Sequence, residues 1–335
     1  MRRPLDTFTP PAHRVTAAPL GSTGIPALDT HLISTANPEL NFGASSPLQR
    51  GMVFEILGEP GSGKTHLIYL LTLQIILPPS RIALIAKNTS QHSRGRLVML
   101  LDCDGGWRWD RFSVLVDSHI SKHLPAGHTL SSSERTALCH SSMQLVTVHR
   151  FPWTQNRALR LTASLFAMNA RLRASQTTEE LGLLVIDGMS SVVQQELAVQ
   201  DAAEAAGLPS TPSALPAVFK AMREVHAPLT VFSTWDHTTA TYYTPITVPS
   251  SALEPAPLQP THRIILQSNL VTLPKFPPEI RAWEAVADTD RRSIVELGLV
   301  SGDVRTESEP EVISQFRFEI RVDGMDSHER QSQPR

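Results

Sequence analysis

Cysteine is nearly missing. The 335 residues hold two, Cys103 and Cys139, too few for a disulfide framework or a cysteine zinc site, and both read as packing residues in a reducing compartment. An excess of positive charge is missing as well. With 30 Lys+Arg against 32 Asp+Glu the net charge is −2, which argues against a stand-alone nucleic-acid binder, since such proteins carry a basic footprint. No apolar run is long enough to span a membrane. The start, Met1-Arg2-Arg3-Pro4, lacks the apolar segment of a signal peptide, so the expected compartment is the cytosol or nucleus. The 13 histidines are scattered, with no pair at metal-ligand spacing beside a carboxylate motif. No internal repeat is visible. Apolar content is ordinary, so a full core is attainable, and the length allows one large or two modest domains.

What is present is a glycine loop in a telling place. Gly58-Glu59-Pro60-Gly61-Ser62-Gly63-Lys64-Thr65 fits G-x-x-x-x-G-K-[ST]. It follows an apolar run, Met52 to Leu57, that reads as a buried strand. It precedes His66 to Leu77, which reads as a helix stopped by Pro78-Pro79. Strand, loop and helix are the context the phosphate-binding motif requires. Glycines let successive backbone N–H groups wrap a phosphate with no Cβ in the way, and the helix N-terminus adds partial positive charge. Lys64 is placed to reach β- and γ-phosphates, and the Thr65 hydroxyl to ligate Mg²⁺. The competing reading is a strand-to-helix turn that binds nothing.

Along the chain, residues 1–20 hold four prolines and read as a flexible arm. A core domain over 21–325 and a disordered tail over 326–335 follow. After the first helix comes a polar insert, Pro78 to Arg96, then a strand at Leu97–Leu101 ending in Asp102-Cys103-Asp104. Carboxylates at the carboxyl end of a parallel strand sit where open α/β sheets bind ligands. Trp109 to Asp117 reads as a helix, Ser118 to Ser142 as a surface excursion and Leu145 to Val148 as a strand. Asn156 to Ala174 has Leu159, Leu161, Leu165, Phe166, Met168 and Leu172 at helical spacing. Arg157, Arg160, Arg171 and Arg173 are interspersed as a solvated basic face. Leu183-Leu184-Val185-Ile186-Asp187 is a strand ending in an acid, the form of a second nucleotide-site motif whose carboxylate holds Mg²⁺ directly or through water. A long polar loop, a helix at Ala217–Val225 and a strand at Leu229–Ser233 come next. A Pro/Thr/Ser-rich loop, His237 to Pro260, leads to late strands at Arg263–Leu266, Ser293–Leu297 and Phe316–Val322, with a frayed segment after Gly324. The predicted fold is α/β, a mostly parallel sheet flanked by helices, with antiparallel strands at its C-terminal end.

These residues resemble the RecA-type recombinases. Thr23-Gly24-Ile25 with Leu28-Asp29 is similar to that family's lead-in, and Phe54-Glu55-Ile56 with Gly58 to Thr65 to its P-loop strand and loop. Leu100 to Asp104 lies where the family carries its catalytic carboxylate. Leu184 to Asp187 matches its magnesium-site strand, and Phe318-Glu319-Ile320 with Asp323-Gly324 its closing strand. Within the family the likeness runs to the eukaryotic recombinase paralogues. It rests on Leu67 to Thr72 with Ile75 to Pro78, on Asp rather than Glu at Asp104, and on a segment before the P-loop too short for a helical N-terminal domain.

The resemblance implies a RecA-like P-loop NTPase core. ATP would lie at Gly58, Glu59, Pro60, Gly61, Ser62, Gly63, Lys64 and Thr65, with Mg²⁺ held by Thr65 and Asp187 and the attacking water activated by Asp104. Asp is one methylene shorter than Glu, and attack geometry is sensitive to displacements of about 1 Å, so slow hydrolysis is expected. Asp236 falls at the position of the family's amide sensor, where an anion disfavours a nearby γ-phosphate. The family's two DNA loops correspond to Gly188–Pro216 and His237–Pro260. Neither contains Lys or Arg, and they carry Glu196, Asp201, Glu204 and Glu254. Phosphate contacts come largely from Lys and Arg, so these loops should repel a DNA backbone. Tyr242-Tyr243 could stack on bases or simply pack. The Trp107-Arg108-Trp109-Asp110 cluster could clamp adenine or a neighbour, or be buried.

The expected function is therefore an ATP-binding accessory subunit of homologous-recombination DNA repair in the nucleus. It would pair with another recombinase paralogue, help the main recombinase assemble on single-stranded DNA, and meet that DNA through the complex rather than alone, with no membrane involved. The alternatives are a DNA-stimulated ATPase with its own strand exchange, and a P-loop kinase for a small metabolite.

Overall fold

The structure is a computed structural model and describes residues 20–35, 46–49, 51–59, 61–86, 95–151, 156–174, 180–209, 214–224, 229–234, 260–268, 299–306, 309–321 and 325–328. The apolar runs form strands β1 (Met52–Leu57), β2 (Leu97–Asp102), β3 (Val146–Arg150), β4 (Leu181–Asp187) and β5 (Leu229–Thr234). Later strands are β6 (His262–Ser268), β7 (Leu299–Thr306), β8 (Glu309–Ile320) and β9 (Met325–His328). All join one nine-stranded sheet in the order β3-β2-β4-β5-β1-β6-β7-β8-β9. From β3 across to β6 every pairing is parallel, and from β6 to β9 every pairing is antiparallel. The fold is thus α/β, mostly parallel, with antiparallel strands at the C-terminal end, as the sequence pattern predicts.

Eight helices accompany the strands among the described residues: α1 (Pro26–Ser34), α2 (Lys64–Ile76), α3 (Pro79–Ala86), α4 (Trp109–His123), α5 (Ser132–Met143), α6 (Arg157–Ala174), α7 (Met189–Ala205) and α8 (Leu215–Glu224). They cover both faces of the sheet. Side chains alternate along a strand, so Leu183 and Val185 of β4 enter one apolar cluster with α1, α2, α4 and α5. Leu184 and Ile186 enter the other, with α6, α7 and α8. Double coverage explains why β4 is apolar without a break rather than alternating. Helix α2 is buried from Leu67 to Ile76, so a Leu→Ala change there would cost about 2–5 kcal/mol. The chain enters α1 through Asp29, whose carboxylate accepts from the Thr23 N–H at 2.7 Å and the Ser22 hydroxyl at 2.5 Å.

The structure corrects several expectations. The polar insert after Leu77 contains α3, which starts at Pro79 because proline lacks an N–H that the first helical turn would leave unbonded anyway. The surface excursion at Ser118–Ser142 holds the end of α4 and most of α5. Ser131 and Glu134 form a reciprocal capping box at the start of α5, which satisfies two otherwise orphaned N–H groups. The polar loop after Asp187 is mostly α7. Ala, Gln and Glu favour helix, and its first turn is buried through Met189, Val192 and Val193, so its polarity marks an outward face.

On α6, Arg157 is 1% exposed and not part of a solvated face, while Leu159 and Phe166 are exposed. The helix start is drawn inward beside Gln195 of α7, whose side-chain oxygen accepts from the Arg157 backbone N–H at 3.4 Å. Strand β7 has no signal in the sequence because Gly302 interrupts it. A Cβ there would stand 2.3 Å from the Phe316 ring of β8, so the glycine is what lets the two strands close. Met325–His328 pairs with β8, where the sequence reading has a frayed tail. Residues 1–19 of the arm, residues 237–259 of the Pro/Thr/Ser-rich loop and the Ser293–Leu297 strand lie outside the described residues, while Leu20, read as the end of the flexible arm, is buried in the core.

Candidate functional site

Parallel pairing puts the carboxyl ends of β1, β2, β4 and β5 on one edge of the sheet, and the sequence-predicted residues meet there. The chain leaves β1 at Leu57, turns through the glycine loop and enters α2 at Lys64. Gly63 at φ +90° is the residue before the helix, a conformation a Cβ would strain. The Lys64 ammonium donates to the carbonyl oxygens of Gly58 at 2.6 Å and Glu59 at 2.8 Å, closing the loop on itself. The Ser62 N–H donates to the Glu59 carbonyl at 3.0 Å. Pro60 lies outside the described residues.

Thr65, in the first turn of α2, donates its hydroxyl to Asp187 Oδ2 at 3.0 Å. The Ser233 hydroxyl at the end of β5 donates to Asp187 Oδ1 at 2.5 Å and accepts from the Gly188 N–H at 2.8 Å. Asp104, beyond β2, comes close to both. A methyl group on Gly106 would lie 3.1 Å from Asp104 Oδ1, 3.6 Å from Thr65 Oγ1 and 3.8 Å from Asp187 Oδ2. Three polar groups from three segments therefore converge on one point that a glycine leaves open.

Asp102 organises the loop that carries Asp104. Its carboxylate is fully buried and accepts from the N–H groups of Gly105 at 2.8 Å, Gly106 at 3.0 Å and Trp107 at 3.3 Å. Arg150 at the end of β3 approaches it at 3.5 Å. Gly188 permits a second close approach: it sits at φ +80°, and a Cβ there would stand 2.7 Å from Asp104 Cγ.

Burial pushes the Asp187 carboxyl up to about 6, and the nearby Asp104 charge adds to this, while the Ser233 and Thr65 hydroxyls oppose it. Burial also lowers the Lys64 pKa, opposed by Asp187, Asp104 and Glu59. A buried anion held above its ordinary range beside a hydroxyl is a place where a cation would relieve electrostatic cost. Among the described residues no cluster of three or more His, Cys, Asp or Glu could hold a metal. A divalent ion here would rely on Thr65, Asp187, water and ligand phosphates, which is how Mg²⁺ is commonly bound. The residues present fit that ion.

Other expectations resolve differently. Trp107 is fully buried against Tyr69 at 4.5 Å and Phe112 at 4.8 Å, so it packs and does not clamp a ligand. Burial raises the Cys103 thiol far above its usual range, consistent with an inert packing role. Glu196 lies on α7 and accepts from the Ala214 N–H at 2.9 Å, which ties α7 to the start of α8. Asp236, Tyr242, Tyr243 and Glu254 lie outside the described residues. The sequence reading missed Ser233, Gly188 and the role of Asp102. A small hydroxyl at the end of β5 and a glycine directly after Asp187 are the signals that could have found the first two.

No family model matches this chain, and no curated protein matches it.

Proposed function

We propose that the chain is an ATP-binding, RecA-like recombinase paralogue. It acts in the nucleus as an accessory subunit of homologous-recombination DNA repair, pairs with another recombinase paralogue and helps the main recombinase assemble on single-stranded DNA. The observation that carries the nucleotide part is the 3.0 Å bond from Thr65, in the first turn after the glycine loop, to Asp187 at the end of β4. In this reading Gly58 to Thr65 cradle the phosphates and Lys64 exchanges its two carbonyl acceptors for phosphate oxygens. Thr65 and Asp187 hold Mg²⁺, which supplies charge neutralisation of the phosphates when bound.

The accessory role rests on the family resemblance and on charge. The stretch from Gly188 to Pro216 has no Lys or Arg, so DNA would be met through the complex. Asp104 in place of Glu supports weak or absent hydrolysis. The test is to recover the tagged chain from its own cells after nuclease treatment, then measure recombinase loading on single-stranded DNA with and without it. Recovery of a second recombinase paralogue in near-equal amount, with loading that falls when this chain is omitted, is expected. Unchanged loading would overturn the reading.

A DNA-stimulated ATPase in its own right is the second reading. It is favoured by the convergence of Asp104 with Thr65 and Asp187. Hydrolysis stimulated by single-stranded DNA and abolished by Asp104→Ala would select it.

A further inference from the structure

At the outer edge of the sheet, where β3 ends and α6 begins, lies a cavity of about 470 Å³ lined in part by His149, Arg150, Phe151, Arg160 and Ser164. Among the described residues that line it none is acidic. Its size suits a small ligand, and two arginines in its lining suit a phosphate, whose oxygens match the forked donors of a guanidinium. Arg150 has a second attachment. Its Nη2 donates to the Trp107 carbonyl at 2.7 Å and its Nε lies 3.5 Å from the Asp102 carboxylate. A guanidinium has more N–H donors than these two contacts use, so Arg150 can hold the Asp102–Trp107 loop and a ligand at once.

We propose that this cavity is a phosphate-binding site, separate from the glycine loop, that takes a phosphate ester or free phosphate between Arg150 and Arg160. Its occupancy is coupled through Arg150 to the loop carrying Asp104. A bound phosphate fixes the Arg150 side chain, and through the Trp107 carbonyl and Asp102 it steadies the N–H groups of Gly105, Gly106 and Trp107. The site does not depend on the nucleotide reading above.

Amide hydrogen exchange on the full chain tests this, in millimolar inorganic phosphate at constant ionic strength. The wild type, Lys64→Ala and Arg160→Gln are compared. Exchange at Gly105 to Trp107 should slow about threefold or more with phosphate in the wild type. The effect should persist in Lys64→Ala, whose glycine loop is impaired, and vanish in Arg160→Gln. Exchange in Arg160→Gln without phosphate should match the wild type, since Arg150 supplies the contacts to the Trp107 carbonyl and Asp102. No slowing in the wild type, or slowing that is lost in Lys64→Ala and kept in Arg160→Gln, would overturn the proposal. A 5′-phosphorylated oligothymidine then distinguishes the sources of the phosphate within a supported site. Half-effect at a concentration about tenfold below that of free phosphate, about 1.4 kcal/mol, assigns a nucleic-acid end. Equal concentrations assign a small anion.

Discussion

Asp187→Asn removes one charge from the buried end of β4 while keeping its shape. Both partners of the carboxylate are hydroxyls, Thr65 at 3.0 Å and Ser233 at 2.5 Å. Hydroxyls can donate or accept, so an Asn oxygen can take the Ser233 bond and its NH₂ can donate to Thr65. The carboxyl is pushed from its ordinary 3.8 up to about 6, chiefly by burial. A group whose folded pKa is raised gives stability that is full below the unfolded pKa and is lost as pH rises through the folded one. A displacement of this size corresponds to about 3 kcal/mol withheld from the ligand-free wild type at pH 8. Asn does not titrate, so the variant escapes that loss.

The assay is thermal unfolding of both proteins, without nucleotide or Mg²⁺, from about pH 3.5 to 8, which brackets the two pKa values. The Tm of Asp187→Asn relative to wild type should climb as pH rises between 4 and 6 and then level off. For a chain of 335 residues the climb is about 4 °C. With Mg²⁺-ATP the order should reverse, because only the wild type retains the charge that the ion would use. A Tm difference flat across the whole pH range would refute the reasoning, as would a ligand-free variant less stable than wild type at pH 8.

Three further outcomes are expected. Gly188→Ala, which meets both the φ of +80° and the 2.7 Å approach to Asp104 Cγ, should destabilise by about 1–3 kcal/mol; urea unfolding measures it, and an unchanged midpoint would contradict the geometry. Ser131→Ala should cost about 1 kcal/mol through loss of the capping box at the start of α5, with Ser131→Asp recovering most of it in the same assay. His119, held down at about 4 by burial with its Nε2 on the Leu77 carbonyl at 2.8 Å, gives stability that is present above the ordinary 6.5 and lost as pH falls toward 4. His119→Gln should therefore flatten the acid limb of the stability profile, and an unchanged slope would count against it.

The parallel half of the sheet was legible because its strands are buried on both faces, and unbroken apolar runs such as Leu183 to Ile186 have few other uses. The glycine loop was legible because its residue types and flanking elements are tied to one another. What escaped was long-range or local in a way hydropathy does not carry. Strand β7 depends on Gly302 lying under the Phe316 ring, a contact made across the chain. Helices α5 and α7 read as loops because polar residues on an outward helix face look like loop composition, although Ser131 and Glu134 carried the capping signal at the correct spacing. Asp104, Thr65 and Asp187 could each be named from the sequence, but not that Gly106 and Gly188 make room for their approach. Ser233 acts on Asp187 only because β5 lies beside β4.

The most direct test of the account is equilibrium binding of Mg²⁺-ATP to the full chain by titration calorimetry, wild type against Lys64→Ala. Among the described residues the Lys64 ammonium hydrogen-bonds to the Gly58 and Glu59 carbonyls, so its removal should leave the fold standing and weaken nucleotide binding about 10- to 100-fold, about 1.4–2.7 kcal/mol. Saturable binding by the wild type that is lost or weakened in this way is the predicted result. No binding by the wild type, or equal binding by the two proteins, would contradict a nucleotide site at the ends of these strands.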